Sequence, residues 1–315
     1  MAPLKLAAVA WEIGKPAGVA GWAARLRATV KAARADMVVC PEYAPLEAFA
    51  VTPDPATPDC AGPRLAGPRL AGPGLAGPGL AGPDLERELA RAIDGAEAAI
   101  RAAASVARGT GVWLLAGSLP MRTENAVRNR AILATPTGDV FLADKHVMTR
   151  FEDEEWRIAG GNPPGVVDTP WGRVGVAICF DAEFPNLVRA QVEAGAFLIL
   201  MPSCTDTEAG FERVRIAARA RAMENQCYTA LAPTVGAAPW SAALDMNRGQ
   251  ALICGPMDRG FPADGILAVS PVDTPGIATA TLDPAALDAV RERGQVRNHR
   301  SWPRNAPAPL LAPVA

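Results

Sequence analysis

The sequence predicts an α/β fold in which a mixed β-sheet is covered by helices. Three observations carry that prediction. Short apolar runs alternate along the chain with segments of helical period. Many of the runs are close enough in sequence to pair as neighbours, which adds antiparallel strands to parallel ones. Half of the 315 residues are hydrophobic and 20% are charged, enough apolar material for one large core.

The elements follow in order. Residues 4–10, Leu-Lys-Leu-Ala-Ala-Val-Ala, form an apolar run too short for a secretory signal and soon followed by charge, so a first buried strand is expected there. A helix over 18–35 leads to a strand over 37–40. Residues 61–85 repeat a five-residue unit, AGPRL, AGPRL, AGPGL, AGPGL, AGPDL. Gly-Pro in every unit forbids helix or central strand, so an expanded surface loop is expected. A helix over 84–107 places Leu85, Leu89, Ile93 and Ile100 on one face with charges opposite. Strands are predicted over 112–117, 131–135, 139–143, 173–179, 197–201, 228–232, 250–254 and 277–282, with helices over 185–194, 208–225 and 284–293. Residues 225–244 lack charge, but Gln226, Pro233, Gly236 and Pro239 argue for a strand and loop over a membrane helix. One domain is expected over 1–300, with a Pro- and Ala-rich tail over 301–315 on a surface or a partner subunit.

A net charge of −2 offers nothing for nucleic acid or an anionic membrane. The six cysteines, Cys40, Cys60, Cys179, Cys204, Cys227 and Cys254, form no C-x-x-C pair, and His146 and His299 are the only histidines. Structural zinc is not expected, and a chain of this length suggests reduced thiols in a cytoplasmic setting. Cations are written almost entirely as arginine: four lysines, Lys5, Lys15, Lys31 and Lys145, stand against 27 arginines. A compact ammonium of adjustable pKa is what arginine cannot replace, so a lysine at a strand end is a candidate for chemistry.

Three residues terminate apolar runs: Glu42, Lys145 and Cys179. Strand ends feeding helices are where α/β folds place reactive groups. A neutral thiol needs a base to become a nucleophile. Neither histidine is well placed, and a buried glutamate within reach of the sulfur can serve instead. Lys145 and the backbone N–H of Phe180 can hold an oxyanion formed by sulfur attack. Each residue alone is more often solvated or merely packed; the conjunction is what argues for a site.

The local sequences strengthen it. They are Asp36-Met-Val-Val-Cys-Pro-Glu42; Arg128-Asn129-Arg-Ala-Ile-Leu; Gly138-Asp-Val-Phe-Leu-Ala-Asp-Lys145-His146; Arg173-Val-Gly-Val-Ala-Ile-Cys179-Phe-Asp181-Ala-Glu-Phe-Pro185; and Arg219-Ala-Arg221-Ala-Met-Glu224-Asn225. In this order they resemble the nitrilase superfamily of carbon–nitrogen hydrolases across nearly the whole chain. The resemblance implies a four-layer αββα sandwich, a catalytic triad of Glu42, Lys145 and Cys179, no metal or organic cofactor, and assembly into a homodimer or higher homo-oligomer. It also implies a second glutamate after the lysine and ahead of Gly160. Within Glu152-Asp153-Glu154-Glu155, the distance to Gly160 favours Glu154 or Glu155. Departures from the family pattern are Asn186, where a glutamate is common, Phe180 for a frequent tyrosine, and Asp144 before the lysine.

True nitrilases of the superfamily typically carry Cys-Trp-Glu at the nucleophile. Cys179-Phe180-Asp181 looks more like the amidase and carbamoylase branch, so a small amide or N-carbamoyl substrate is expected, hydrolysed through a Cys thioester. Alternatives are a nitrilase and an inactive oligomeric interaction protein of the same fold. The membrane acyltransferases and ATP-dependent synthetases of the superfamily are not expected. Residues 240–256, with Gly260-Phe-Pro262, are expected to line the pocket or a dimer surface, and Arg215, Arg219 or Arg248 could meet a substrate carboxylate.

Overall fold

The computed structural model describes residues 2–14, 18–49 and 83–302. The repeat through residue 82, Cys60 and the tail beyond Trp302 lie outside the described residues.

Each predicted helix and strand is present. In chain order the elements are β1 (Leu4–Glu12), α1 (Gly18–Ala33), β2 (Met37–Val39), a 3-10 helix (Ala44–Ala48), α2 (Pro83–Thr110), β3 (Trp113–Arg122), β4 (Val127–Ala134), β5 (Val140–Asp144), α3 (Arg150–Glu154), β6 (Val166–Thr169), β7 (Gly172–Val176), a second 3-10 helix (Cys179–Glu183), α4 (Pro185–Glu193), β8 (Ala196–Ser203), α5 (Glu208–Asn225), β9 (Tyr228–Ala237), β10 (Met246–Asn247), β11 (Leu252–Cys254), β12 (Ile266–Val269), β13 (Gly276–Leu282) and α6 (Pro284–Arg293). The additions to the expectation are β6, β10 and β12, together with one-turn α3. The added strands are two to four residues long, too short to show a period, so their pairing comes from neighbours more than from their own pattern.

Strands run β5-β4-β3-β2-β1-β9-β8-β7-β6. Near the middle β1 passes from one sheet to the other. Leu4–Ala10 pairs antiparallel with β13, and its end pairs parallel with β9, Trp11 against Thr234 and Glu12 against Val235. The first sheet is therefore β5-β4-β3-β2-β1-β13, and the second is β6-β7-β8-β9-β11-β12.

Hydrophobic burial holds the layers together. Leu6, Ala8, Val39, Leu115 and Leu133 of the first sheet share one buried cluster with Val174, Leu198, Leu200, Leu231 and Leu252 of the second. On the outer face of the first sheet, Val9, Val38, Leu114 and Ile132 pack with Trp22, Leu26 and Val30 of α1 and with α2. The α2 ridge matches expectation at Leu85, which is buried, but its centre is made of small residues: Ala92, Ala96, Ala99 and Ala103 are buried there, followed by Val106 and Ala107, and Leu89 and Ile100 flank them. Small side chains let the helix axis approach the sheet closely, and the larger residues seal the edges. Helices α4 and α5 cover the second sheet through Val188, Val192, Val214 and Ala218. The result is the expected αββα sandwich. Truncating an interlayer leucine such as Leu200 to alanine removes about 2–5 kcal/mol of stability. No described helix is long and apolar enough to cross a membrane.

The architecture brings three strand ends to one place. Glu42 follows β2, Lys145 follows β5, and Cys179 follows β7 in the opposite sheet. Gly117 in β3 permits the approach of the Glu42 turn: at φ 102°, a Cβ there would lie 2.4 Å from the Pro41 carbonyl oxygen.

Candidate active site

Glu42, Lys145 and Cys179 converge, each almost fully buried at 1%, 1% and 4% exposure. Among the described residues lysine burial is peculiar to this position: Lys5 and Lys31 are exposed. Lys145 Nζ donates to Glu42 Oε1 at 2.8 Å and to Glu152 Oε2 at 2.6 Å. An ammonium buried between two carboxylates offsets their desolvation and its own.

The second glutamate is therefore Glu152, and the expectation of Glu154 or Glu155 is corrected. Thr149 and Glu152 form a reciprocal capping box at the start of α3, Thr149 N–H donating to Glu152 Oε2 at 2.9 Å. That box turns Glu152 inward. Glu154 lies one further half-turn round and pairs at the surface with Arg150 at 2.7 Å, where both side chains are at least half exposed. Glu155 ends the helix without reaching the site, its N–H bonded to the Phe151 carbonyl. Distance to Gly160 was a poor guide, whereas the Thr-x-x-Glu pattern identifies the right acid.

Around this core sit residues with no predicted role. Asn129 of β4 is fully buried, and its Nδ2 reaches Glu42 Oε1 at 2.8 Å, Tyr43 Oη at 2.9 Å and Glu152 Oε1 at 3.1 Å. The Tyr43 hydroxyl donates to Glu152 Oε1. Cys204, expected to be packing, contributes its backbone: its N–H donates to Glu42 Oε2 at 3.1 Å, and its carbonyl accepts from Cys179 Sγ at 3.5 Å. Its own thiol faces Asn247 Oδ1 at 3.4 Å, which places the predicted 240–256 segment beside the site.

The turns that carry Glu42 and Cys179 are both backbone-strained. Tyr43 has φ 60° and Cys179 φ 48°, left-handed values that cost a non-glycine residue about 1–3 kcal/mol each. Cys179 opens the 3-10 helix after β7, and Phe180 follows with its ring T-stacked on Phe184 at 4.9 Å.

Electrostatics separates the groups. Burial pushes the Glu42 carboxyl up to about 7; the Glu152 charge adds to the rise, while Lys145 and a hydrogen bond from Cys179 oppose it. For Glu152, burial is outweighed by the Lys145 charge and by donors from Lys145, Tyr43 and Thr149, so its pKa is lowered. Burial also acts against the Lys145 ammonium, but Glu152 and Glu42 raise it well above its ordinary value. The Cys179 thiol is raised well above its usual range by burial and by the facing Glu42 charge. One carboxylate stays ionised, one titrates near neutrality, the amine stays charged and the thiol stays protonated at rest.

The arginines offered for a substrate carboxylate are engaged elsewhere. Arg215 pairs with Glu212, Arg219 donates to the Asp264 carbonyl, and Arg248 pairs with Asp273 at 2.7 Å.

The family model described as carbon–nitrogen hydrolase matches residues 5–292. The chain belongs to the carbon–nitrogen hydrolase family. Among curated relatives of this family member, the probable hydrolase YhcX of Bacillus subtilis is 34% identical over 186 residues, covering 59% of this chain and 36% of that protein. The deaminated glutathione amidase of Mus musculus is 28% identical over 209 residues, covering 62% of each. The chain thus spans about a third to two thirds of the curated relatives it matches. Two solved structures share the fold. XC1258 from Xanthomonas campestris, a CN-hydrolase superfamily protein with an arsenic adduct in its active site, superposes with TM-score 0.67 at 22% identity over 93% of this chain and 95% of its own. A mutant amidase from Nesterenkonia sp. AN1, with the acetamide moiety of fluoroacetamide added at its active site cysteine, gives TM-score 0.64 at 21% identity over 95% and 96%.

Proposed function

We propose that the chain hydrolyses a small amide or N-carbamoyl C–N bond through a thioester on Cys179. The observation that carries this reading is a thiol facing a carboxyl of neutral-range pKa, with a charged ammonium bound to the same carboxyl. A thiol that is protonated at rest must lose its proton as it attacks, and Glu42 is the group in reach with a matched pKa.

In the first half-reaction the Cys179 sulfur bonds to the amide carbon while its proton passes to Glu42. Charge collects on the amide oxygen. Lys145 has three N–H bonds, two of them spent on Glu42 and Glu152, so the third is the donor for that oxyanion. The backbone N–H of Phe180 is assigned as a second donor. The C–N bond then breaks, and Glu42 gives its proton to the departing ammonia or amine. In the second half a water attacks the thioester, losing a proton to Glu42, and the tetrahedral centre releases the acid and the thiol. Glu152 keeps Lys145 charged throughout, and Asn129 and the Cys204 N–H aim the Glu42 carboxyl.

The test is ammonia release from a panel of short primary amides and N-carbamoyl amines, with intact-protein mass spectrometry to catch the acyl adduct. Wild type should release ammonia and carry the acyl mass, and Cys179→Ala should do neither. Full turnover by Cys179→Ala would refute the thioester. The same assay on a nitrile panel separates an amidase from a nitrilase.

A further inference from the structure

We infer that Asp181 is a positioning residue that sets the spacing between the nucleophile and the oxyanion-binding lysine. The inference rests on the roles proposed for Cys179 and Lys145. Asp181 lies two residues after Cys179, in the same 3-10 turn, and is fully buried. Its carboxylate does not point at the reacting groups. Oδ1 accepts the Val147 N–H at 2.8 Å and the His146 N–H at 3.2 Å, and Oδ2 accepts the His146 N–H at 3.1 Å. His146 and Val147 are the residues immediately after Lys145. One side chain thus ties the turn that holds the sulfur, in the second sheet, to the peptide that carries the ammonium, in the first.

The tie is a needed one. Lys145 follows β5 and Cys179 follows β7. Among the described residues the two sheets are laddered together only through β1 and β9, and β5 and β7 lie far from that seam in the strand order, so no direct backbone pairing between them fixes the distance. The other side of the lysine peptide is already fixed. Gly161 N–H donates to the Lys145 carbonyl at 2.8 Å, and the Gly161 carbonyl meets His146 Nδ1 at 2.9 Å. Gly160 must stay bare, because a Cβ there would lie 2.4 Å from the His146 carbonyl oxygen. With that side closed, Asp181 joins the Glu42 contacts to Lys145 and to the Cys204 N–H in setting how far Lys145 sits from the sulfur. The far end of the Cys179 turn is held separately, by buried Arg221 of α5, whose Nε donates to the Ala182 carbonyl at 2.9 Å and whose Nη2 donates to the Glu183 carbonyl at 3.3 Å. Burial raises the Asp181 carboxyl, and the two backbone donors oppose that rise, consistent with a carboxylate kept for its acceptors.

A displacement of order 1 Å between reacting groups costs up to about 10²-fold in rate. The two chemistries of Cys179 separate this role from simple folding. Amide hydrolysis needs Lys145 at the oxyanion, whereas alkylation by iodoacetamide forms an S–C bond, expels iodide and needs only the thiol and its base. Asp181→Asn and Asp181→Ala are compared with wild type and Cys179→Ala for amide kcat and KM, for iodoacetamide alkylation rate and for melting temperature. The expected result is a kcat loss of about 10-fold in Asp181→Asn, which keeps one acceptor, and about 10²-fold in Asp181→Ala, with KM and alkylation within about threefold of wild type. Wild-type kcat in Asp181→Ala would overturn the inference. So would alkylation falling in parallel with kcat, or failure of both variants to fold, since either makes the role structural. Activity surviving in Cys179→Ala would instead sink the underlying function while leaving the tie between the sheets in place.

Discussion

The two turns that carry the site are alike in backbone and opposite in how they are held. Each follows a buried strand, each has a left-handed non-glycine residue, Tyr43 or Cys179, and each runs into a 3-10 helix. In the first turn the reactive side chain itself is fixed: Glu42 accepts from Lys145, Asn129 and the Cys204 N–H. In the second turn the backbone is fixed, by Asp181 and Arg221, while the sulfur has only a long contact to a carbonyl and the facing carboxyl. A buried carboxylate without partners is costly, so the base must be surrounded. The sulfur, as the proposed nucleophile, needs a free lone pair, so its rigidity has to come from elsewhere in its turn.

The contrast can be broken from either side. Cys179→Ala removes chemistry and little packing, so turnover should fall about 10⁴-fold or more with the melting temperature nearly unchanged. A large drop in melting temperature would show that the sulfur is structural after all. Lys145→Met breaks the first turn differently, because Glu42 and Glu152 lose the cation between them. Urea denaturation at pH 8 should show a stability loss of about 3–5 kcal/mol in addition to lost turnover. An unchanged denaturation midpoint would mean that the ion pairs do not hold the turn.

Smaller changes sharpen the comparison. Because Glu42 is pushed up to about 7, kcat/KM should fall as the pH drops below neutrality, where the base becomes protonated and cannot accept the thiol proton. Glu152→Gln deletes the negative charge that helps raise Glu42, so this limb should move to lower pH, with kcat down by about 10–10²-fold. Glu154→Gln, at the surface, should leave the profile where it was; a shift there would restore Glu154 to the site. The mildest change is Tyr43→Phe, which takes one donor from Glu152 and should lower stability by about 1–2 kcal/mol in a thermal melt.

Much of this was legible in the residues. The period of the apolar runs located every α-helix except one-turn α3, and most strands, because burial of one face imposes that period whatever the partner. Glu42, Lys145 and Cys179 were legible because strand ends are where a sheet leaves side chains free, and because their local sequences match a family. Glu152 was misassigned within a run of four acids: a one-turn helix has no period to read, and only its capping box decides which acid turns inward. Asn129 and Asp181 stood in family-like blocks without a positional role, and Tyr43 looked like an ordinary turn residue.

The sequence by itself thus determined the layers, the family and the three strand-end side chains that meet, since each of those depends on local pattern. Only the tertiary structure decided which acid joins Lys145, which amide aims Glu42 and which carboxylate ties the two sheets together. Those choices depend on groups far apart in the chain, such as Asn129 and Glu42 or Asp181 and Val147, meeting at hydrogen-bond distance. No local pattern encodes such a meeting; the packing of two sheets face to face creates it.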